Sequence, residues 1–420
     1  MKSKLVQLTL LLFCGWTTFA QGTRPQHVTF FGSSVCRGTG AENNHGYAWQ
    51  FFNSGAIDTT KYRYFNASTG GDNTLKVEKE DRMTLKLFPT NPDFVVIGLS
   101  LGNEGILSPK TDDGREMILE QYRSRLLAMA DSLASLDMKP IIVNCYSNAY
   151  FTEAHYAITN RMNRHINTWK YPSINVLGTV DDFTGKWVKD LESDALHPNT
   201  TGHQEMSYAI VPSLFDALTA GKETPSYDWH NSYATLLNAK KEEQPLHLTI
   251  DGTMHSFTLS FRFKNSEDGS IAGFESGGTV SQVVKRGDTI GYKNSIGTLT
   301  QDLNGWTQVV LSHSYANQKT TLYINGRPAG SVSEKLSPTR IFFGGTSPRI
   351  DLKDLMLHRA ALNSSEIRDI YQKKFIQSSL EFYNPLTQPI AGNTVGNFAQ
   401  SLSELNKANP VILTHQAVGF

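Results

Sequence analysis

The stretch "FFGSSVCRGTG", Phe30 to Gly40, ends a run of β-forming residues in two serines and a turn punctuated by glycines. The residues around its start, His27–Phe31, predict a short buried strand, and "YAWQFF", Tyr47–Phe52, predicts a short apolar helical segment beyond it. A serine at the carboxyl end of such a strand stands where open α/β sheets gather their ligands. Taken alone it is a nucleophile, a phosphate-loop residue or a turn former, and the surrounding pattern has to separate these.

Working outward, further apolar strand candidates are Tyr62–Asn66, Asp93–Leu99, Pro140–Cys145 and Ile174–Val180. Between the third and fourth strands, Ile118, Tyr122, Arg125/Leu126, Met129, Leu133 and Leu136 recur at spacings of three and four. That is the stripe of one amphipathic helix. Strands and helices alternate in this way over residues 27–220. Continuous apolar strands between helices predict an α/β fold, a three-layer α/β/α doubly wound parallel sheet covered on both faces.

After Ser226 the rhythm changes. "HLTIDG", "SFTLSFRF", "WTQVVLSHS", "TTLYINGRPAGSV" and "RIFFGG" alternate in twos and are separated by Gly, Asn and Asp. Asn325-Gly326 between two such runs is a strong hairpin signal. Many short strands with little helix predict an all-β sandwich of the jelly-roll kind. The boundaries expected are an α/β domain over 21–223, a connection over 224–245 and a jelly roll over 246–410. Tyr227, Trp229 and Tyr233 are unusual in a free linker and suggest that the connection docks.

The 420 residues suffice for two or three cores. Lys+Arg and Asp+Glu balance at 39 each, so no polybasic surface indicates nucleic acid or anionic lipid as a partner. At the N-terminus, "MKSKLVQLTLLLFCGWTTFAQG" joins two lysines, an apolar run and a small residue before Gln21. This reads as a secretory signal peptide over 1–20 cut after Ala20, and hence a secreted or periplasmic protein. Cys14 leaves a lipoprotein alternative. No later stretch approaches the roughly 20 apolar residues of a membrane span. Cys36 and Cys145 are then the cysteines of the mature chain, expected as buried free thiols, with a single bridge as the alternative.

Four loops in the first half stand together. Gly32–Gly38 follows the first strand, "NASTGGDNT" (Asn66–Thr74) the second, "VVIGLSLGNEG" (Val95–Gly105) runs off the third, and "SDALHPNTTGH" (Ser193–His203) follows the fifth. Singly these are ordinary turns and caps. At the carboxyl ends of one parallel sheet they converge on one crevice.

This set resembles the SGNH (GDSL-type) hydrolase family over about Val28 to His203, and "DALHPNTTGH" is its most specific part. The resemblance implies Ser34 as nucleophile, with Asp194 and His197 completing a triad. It further implies the Ser34 backbone N–H, Gly71 and Asn103 as oxyanion donors. Ser33 stands where the family often has aspartate, and Glu104 where an aspartate is typical. The chemistry agrees: a serine hydroxyl needs a base to take its proton, and a carboxylate at Nδ1 orients that base. The phosphate-loop reading has no Lys-Ser/Thr pair and no G-x-G-x-x-G; a metal hydrolase has no H-E-x-x-H or C-x-x-C. No cofactor or metal is therefore expected at this site. His45, Tyr47 or Trp49 could reach the pocket rim, with core packing expected for Tyr47 and Trp49.

In the second half, "GWTQVVLSHSYANQKTTLYINGRPAGS" and "IDLKDLMLHRAALNSSEIRDIY" resemble the concanavalin A-like, laminin-G-like jelly roll over roughly Leu246 to Tyr371. "SLEFYNPL", Ser379–Leu386, is a candidate closing strand. The resemblance implies either a glycan-binding module, sometimes with calcium, or a packing module. Gly305-Trp306 is expected in the core rather than as a sugar platform. Together the two resemblances imply an exported serine esterase that removes acyl groups, acetyl above all, from a carbohydrate or another small ester. The alternatives are a lipid or thioester hydrolase, and a glycan-binding protein with a vestigial hydrolase domain.

Overall fold

The computed structural model describes residues 24–417 other than 229, 230, 303, 389 and 391. The expected signal peptide, Cys14 and Trp229 lie outside the described residues.

Strands β1 (Gln26–Gly32), β2 (Tyr62–Asn66), β3 (Phe94–Gly98), β4 (Lys139–Val143) and β5 (Ser173–Ile174) form a parallel sheet in the order β2-β1-β3-β4-β5. Helices α1 (Ser34–Arg37), α2 (Tyr47–Asn53), α3 (Thr74–Lys79) and α4 (Asp112–Ser135) connect the first four strands. Helices α5 (Glu153–Ile166), α6 (Leu177–Val180), α7 (Thr200–Ser207) and α8 (Leu214–Thr219) follow. Side chains alternate across a strand, and here both sets are apolar. Val28, Phe30, Phe94 and Val96 join one core with Tyr47, Phe51, Met206 and Phe215. Phe31, Val95 and Ile97 join another with Leu119, Tyr122, Leu126 and Met162. Helices on both faces make three layers.

Two details differ from the sequence reading. The strand expected over Ile174–Val180 is only Ser173–Ile174, because the Asn175 side chain accepts the Gly178 N–H (3.0 Å) and turns the chain into α6. In α4 the buried stripe starts at Leu119 rather than Ile118, and Leu136, past the helix end, is 52% exposed.

The second unit is a β-sandwich. Its strands begin with β6 (Tyr233–Leu237), β7 (Leu246–Thr249), β8 (Phe257–Lys264), β9 (Gly269–Ser276) and β10 (Thr279–Arg286). Next come β11 (Thr289–Tyr292), β12 (Ser295–Thr298), β13 (Thr307–Ser314), β14 (Lys319–Ile324), β15 (Arg327–Ser333) and β16 (Pro338–Phe343). After β17 (Arg349–His358) and helix α9 (Ser364–Tyr371) the chain closes with β18 (Leu380–Asn384), β19 (Thr394–Val395), β20 (Leu405–Lys407) and β21 (Ile412–Gln416). One sheet runs β12-β11-β10-β9-β16-β7-β20-β19, the other β15-β14-β13-β8-β17-β6-β21, with β18 paired to β17. Phe257, Leu259 and Phe261 of β8 meet Phe274, Ile341 and Phe343 of the facing sheet in a shared core. Asn325 (φ 47°) and Gly326 (φ 72°) turn between β14 and β15, both left-handed as a two-residue hairpin of type I′ requires. Trp306 is buried, 3% exposed.

The expected boundaries need correction on both sides. Tyr233–Leu237, inside the supposed connection 224–245, pairs with β17 and β21, and its Ala234 and Leu236 are core residues. The last strand runs to Gln416, beyond 410.

The two units dock through buried hydrogen bonds. Gln377 donates from Nε2 to the carbonyls of Trp169 (2.8 Å) and Tyr171 (2.9 Å), and the Gln377 and Ser378 N–H groups meet Asn167 Oδ1 at 3.0 Å each. Ser379 N–H reaches the Ser173 carbonyl at 2.9 Å, so the sandwich covers the outer edge of β5. An uncovered edge is a template for unwanted pairing. Tyr227, in the connection, donates to Asp354 at 2.6 Å and, like Phe375, packs against a buried cluster that includes Tyr383. Among the described residues no helix is long and apolar enough to cross a membrane.

Candidate active site

The crevice lies where β1, β2 and β3 end. Ser33 is in extended backbone just before α1, its N–H on the Gly98 carbonyl (3.2 Å) and its Oγ 3.1 Å from Tyr146 Oη. It is fully buried. Ser34, the first residue of α1, turns the other way: its Oγ is 2.9 Å from His197 Nε2. His197 Nδ1 is 2.9 Å from both carboxylate oxygens of Asp194. A carboxylate only accepts, so Nδ1 carries the proton, donates to Asp194 and leaves the Nε2 lone pair facing the Ser34 hydroxyl.

The turn that makes this possible is local. Asp194 Oδ1 also accepts the N–H groups of Leu196 (2.7 Å) and His197 (3.0 Å). Burial works to raise the Asp194 carboxyl, but the hydrogen bonds from His197 and Leu196 outweigh it and hold the group below the usual carboxylate range. Gly40, at φ 96°, packs under this loop, where a Cβ would stand 2.2 Å from the Pro198 carbonyl oxygen and 3.1 Å from His197 Cβ. Only glycine tolerates both the conformation and the approach. His203, in α7 just beyond this loop, has a structural part. It donates from Nε2 to the Thr39 carbonyl (3.0 Å) and accepts the Tyr47 N–H at Nδ1 (3.2 Å). Burial lowers its pKa to about 4, which keeps it neutral.

The expected donors border the same place. Gly71 takes φ 77°, and neither its N–H nor that of Ser34 has a protein partner among the described residues. Asn103 Nδ2 donates one proton to the Asp72 carbonyl (2.9 Å), which leaves the second for another acceptor. Asn73 Nδ2 in turn donates to the Asn103 carbonyl (3.1 Å). Glu104 completes the lacing: its carboxylate accepts from Thr74 N (2.5 Å) and Thr74 Oγ1 (2.9 Å), and burial raises its pKa. In the sequence Glu104 is a departure from pattern that leaves Asn103 in place and alters its support. Its work as a brace between the loops after β2 and β3 depends on their adjacency.

Tyr47 is buried, whereas Trp49 is half-buried and stacked on His45 with ring centroids 3.7 Å apart. Both His45 and Trp49 border a groove of about 440 Å³ with Gln50, Thr200 and Tyr208. The core packing expected for Trp49 is therefore only partial. A cavity of about 770 Å³ at the domain junction, lined by Arg164, Trp169, Tyr227 and Phe375, includes none of the residues around Ser34. Cys36 and Cys145 are both buried and unpaired; burial pushes the Cys145 thiol up to about 11. Among the described residues no cluster of three or more His, Cys, Asp or Glu is arranged to hold a metal ion.

No family model and no curated protein matches this chain. Solved structures similar to parts of it include an acetylxylan esterase from Geobacillus stearothermophilus, 14% identical over 44% of this chain and 92% of that one, with a TM-score of 0.34. A lipase from a goat rumen metagenome is 14% identical over 44% and 95%, with a TM-score of 0.38. A protein from Bacteroides ovatus assigned to carbohydrate binding is 12% identical; the match spans 44% of this chain, 59% of that protein, and has a TM-score of 0.33. At such identities and scores, the chemistry of the site has to be argued from its own geometry.

Proposed function

We propose that the protein is an ester hydrolase that works through Ser34, His197 and Asp194. The observation that carries this reading is the continuous chain Ser34 Oγ–His197 Nε2, His197 Nδ1–Asp194, with both distances at 2.9 Å. As Ser34 Oγ attacks the ester carbonyl carbon, His197 Nε2 takes its proton, and Asp194 stabilises the imidazolium. The carbonyl oxygen becomes an oxyanion held by the N–H groups of Ser34 and Gly71 and by the Asn103 amide. The intermediate collapses, the ester's C–O bond breaks, and His197 returns the proton to the departing alcohol. Water then attacks the acyl-serine with the same base, releasing the acid and restoring Ser34.

The substrate proposed is an acylated, above all acetylated, carbohydrate, met outside the cytoplasm after export by the N-terminal signal peptide. The sandwich then serves as a glycan-binding or a packing module. Hydrolysis of p-nitrophenyl acetate, abolished in Ser34→Ala, tests the chemistry, and a panel of acetylated polysaccharides tests the substrate. A folded wild-type protein inert on every ester would refute it.

A further inference from the structure

Beside Ser34 runs the pair Gly70-Gly71, both exposed. A Cβ on Gly70 would stand 3.7 Å from Arg37 Nη1 and 4.0 Å from Ser34 Cβ. Apart from chain neighbours, no other described atom comes within 4 Å of that point. At Gly71 the corresponding point meets only Lys76 Nζ, at 3.9 Å. The space over the two glycines is thus open, bounded by Ser34 and by two cationic heads.

The Arg37 charge is not balanced locally, whereas Lys76 lies within the field of the Asp72 carboxylate. Arg37 is exposed and, among the described residues, has no carboxylate within ion-pair distance. Its Nη1 nonetheless stands beside Gly70 and Ser34 rather than reaching away from them. Lys76 Nζ is held by the Gly71 carbonyl (3.1 Å). The ion pairs of the acids nearby go elsewhere: Asp72 and Glu80 pair with Arg82, and Asp194 holds His197. An unpaired arginine far from any site says little. Here it stands over open space next to a serine whose hydroxyl faces an imidazole.

We propose that this site selects esters whose alcohol portion carries a carboxylate beside the acyl group, as a uronic acid residue does, with Arg37 and Lys76 as its binding groups. The inference rests on the ester-hydrolase reading above. An acetyl group has no atom to carry charge, so the anion belongs to the alcohol. A guanidinium presents a fork of N–H donors that matches a carboxylate, and an ammonium adds a point charge.

The test compares 4-acetoxybenzoate with its methyl ester, each kcat/KM divided by the same ester's hydroxide-catalysed rate. The wild type should favour the carboxylate by about tenfold, as one close charge pair near a surface allows. Arg37→Gln should remove most of that preference, chiefly through KM, Arg37→Lys should retain part of it, and Lys76→Gln should reduce it. Salt at about 0.5 M should compress it in the wild type. Equal rates on both esters in the wild type, or a full preference surviving in Arg37→Gln, would overturn the proposal while leaving the esterase intact. Inactivity of the folded wild type on both esters would instead overturn the reading beneath it.

Discussion

Glu104 offers the sharpest test of how the crevice is built. Its carboxylate takes both the N–H and the hydroxyl of Thr74, a residue 1% exposed, and so ties the start of α3 to the loop that carries Asn103. In Glu104→Ala the buried Thr74 N–H loses its acceptor, at a cost of about 1–3 kcal/mol in stability. The proposed donors at Gly71 and Asn103 are then free to drift, and a misplacement of about 1 Å can cost roughly 10²-fold in rate. If Asn103 is an oxyanion donor as proposed, removing it outright in Asn103→Ala should cost about 10²–10³ in kcat. Glu104→Ala should therefore lower kcat by about 10–10², with KM little changed. Glu104→Gln, which keeps an acceptor for the Thr74 N–H and an amide for its hydroxyl, should recover most of the loss. Steady-state kinetics on p-nitrophenyl acetate, with the Asn103→Ala/Glu104→Ala double variant, completes the cycle. If Glu104 acts by placing Asn103, the second loss should be smaller than the first alone. Wild-type kcat in Glu104→Ala despite a lowered Tm, or strict additivity with Asn103→Ala, would refute the argument.

Ser34→Ala should abolish turnover of p-nitrophenyl acetate while Ser33→Ala keeps most of it, since the Ser33 hydroxyl is buried against Tyr146; the reverse pattern would exchange their roles. At the domain junction, burial pushes the carboxyls of Asp181 and Glu366 up to about 7 each. A raised carboxyl stabilises the fold fully below its unfolded pKa of about 4, and that contribution is lost as pH rises through the folded value near 7. The Tm of the wild type relative to Glu366→Gln should accordingly fall between pH 5 and 8, and a relative rise over that interval would contradict the assignment. Ending the chain at Lys222 should lower Tm and favour self-association, because the edge of β5 is uncovered and the Asn167, Trp169 and Tyr171 acceptors lose their Gln377 and Ser378 donors. Each lost hydrogen bond is worth about 0.5–1.5 kcal/mol net. A fragment that melts with the intact protein and stays monomeric in size-exclusion chromatography would show that the units are independent.

What the sequence determined follows from short-range pattern. Continuous apolar runs at His27–Phe31 and Asp93–Leu99 can be buried on both faces only in a covered parallel sheet, and the change to alternation in twos after Ser226 marks the sandwich. Asn325-Gly326 specifies its own turn, and Asp194 and His197 sit three residues apart within one loop, so their contact was legible in the chain. Ser34 and Ser33 are not separable by such local pattern, and only the family resemblance points to Ser34. Adjacent in sequence, they are told apart by the backbone at the end of β1, which sends one side chain to Tyr146 and the other to His197. Tertiary structure likewise decided the short fifth strand, where a local Asn175–Gly178 hydrogen bond outcompetes the ladder, and the recruitment of Tyr233–Leu237 into the sandwich by β17 and β21. Glu104 beneath Thr74 and Arg37 over Gly70 belong to the same class. Each joins residues about thirty apart in the chain, brought together by parallel strands whose ends meet at one edge of the sheet, and no periodicity within either segment encodes the meeting.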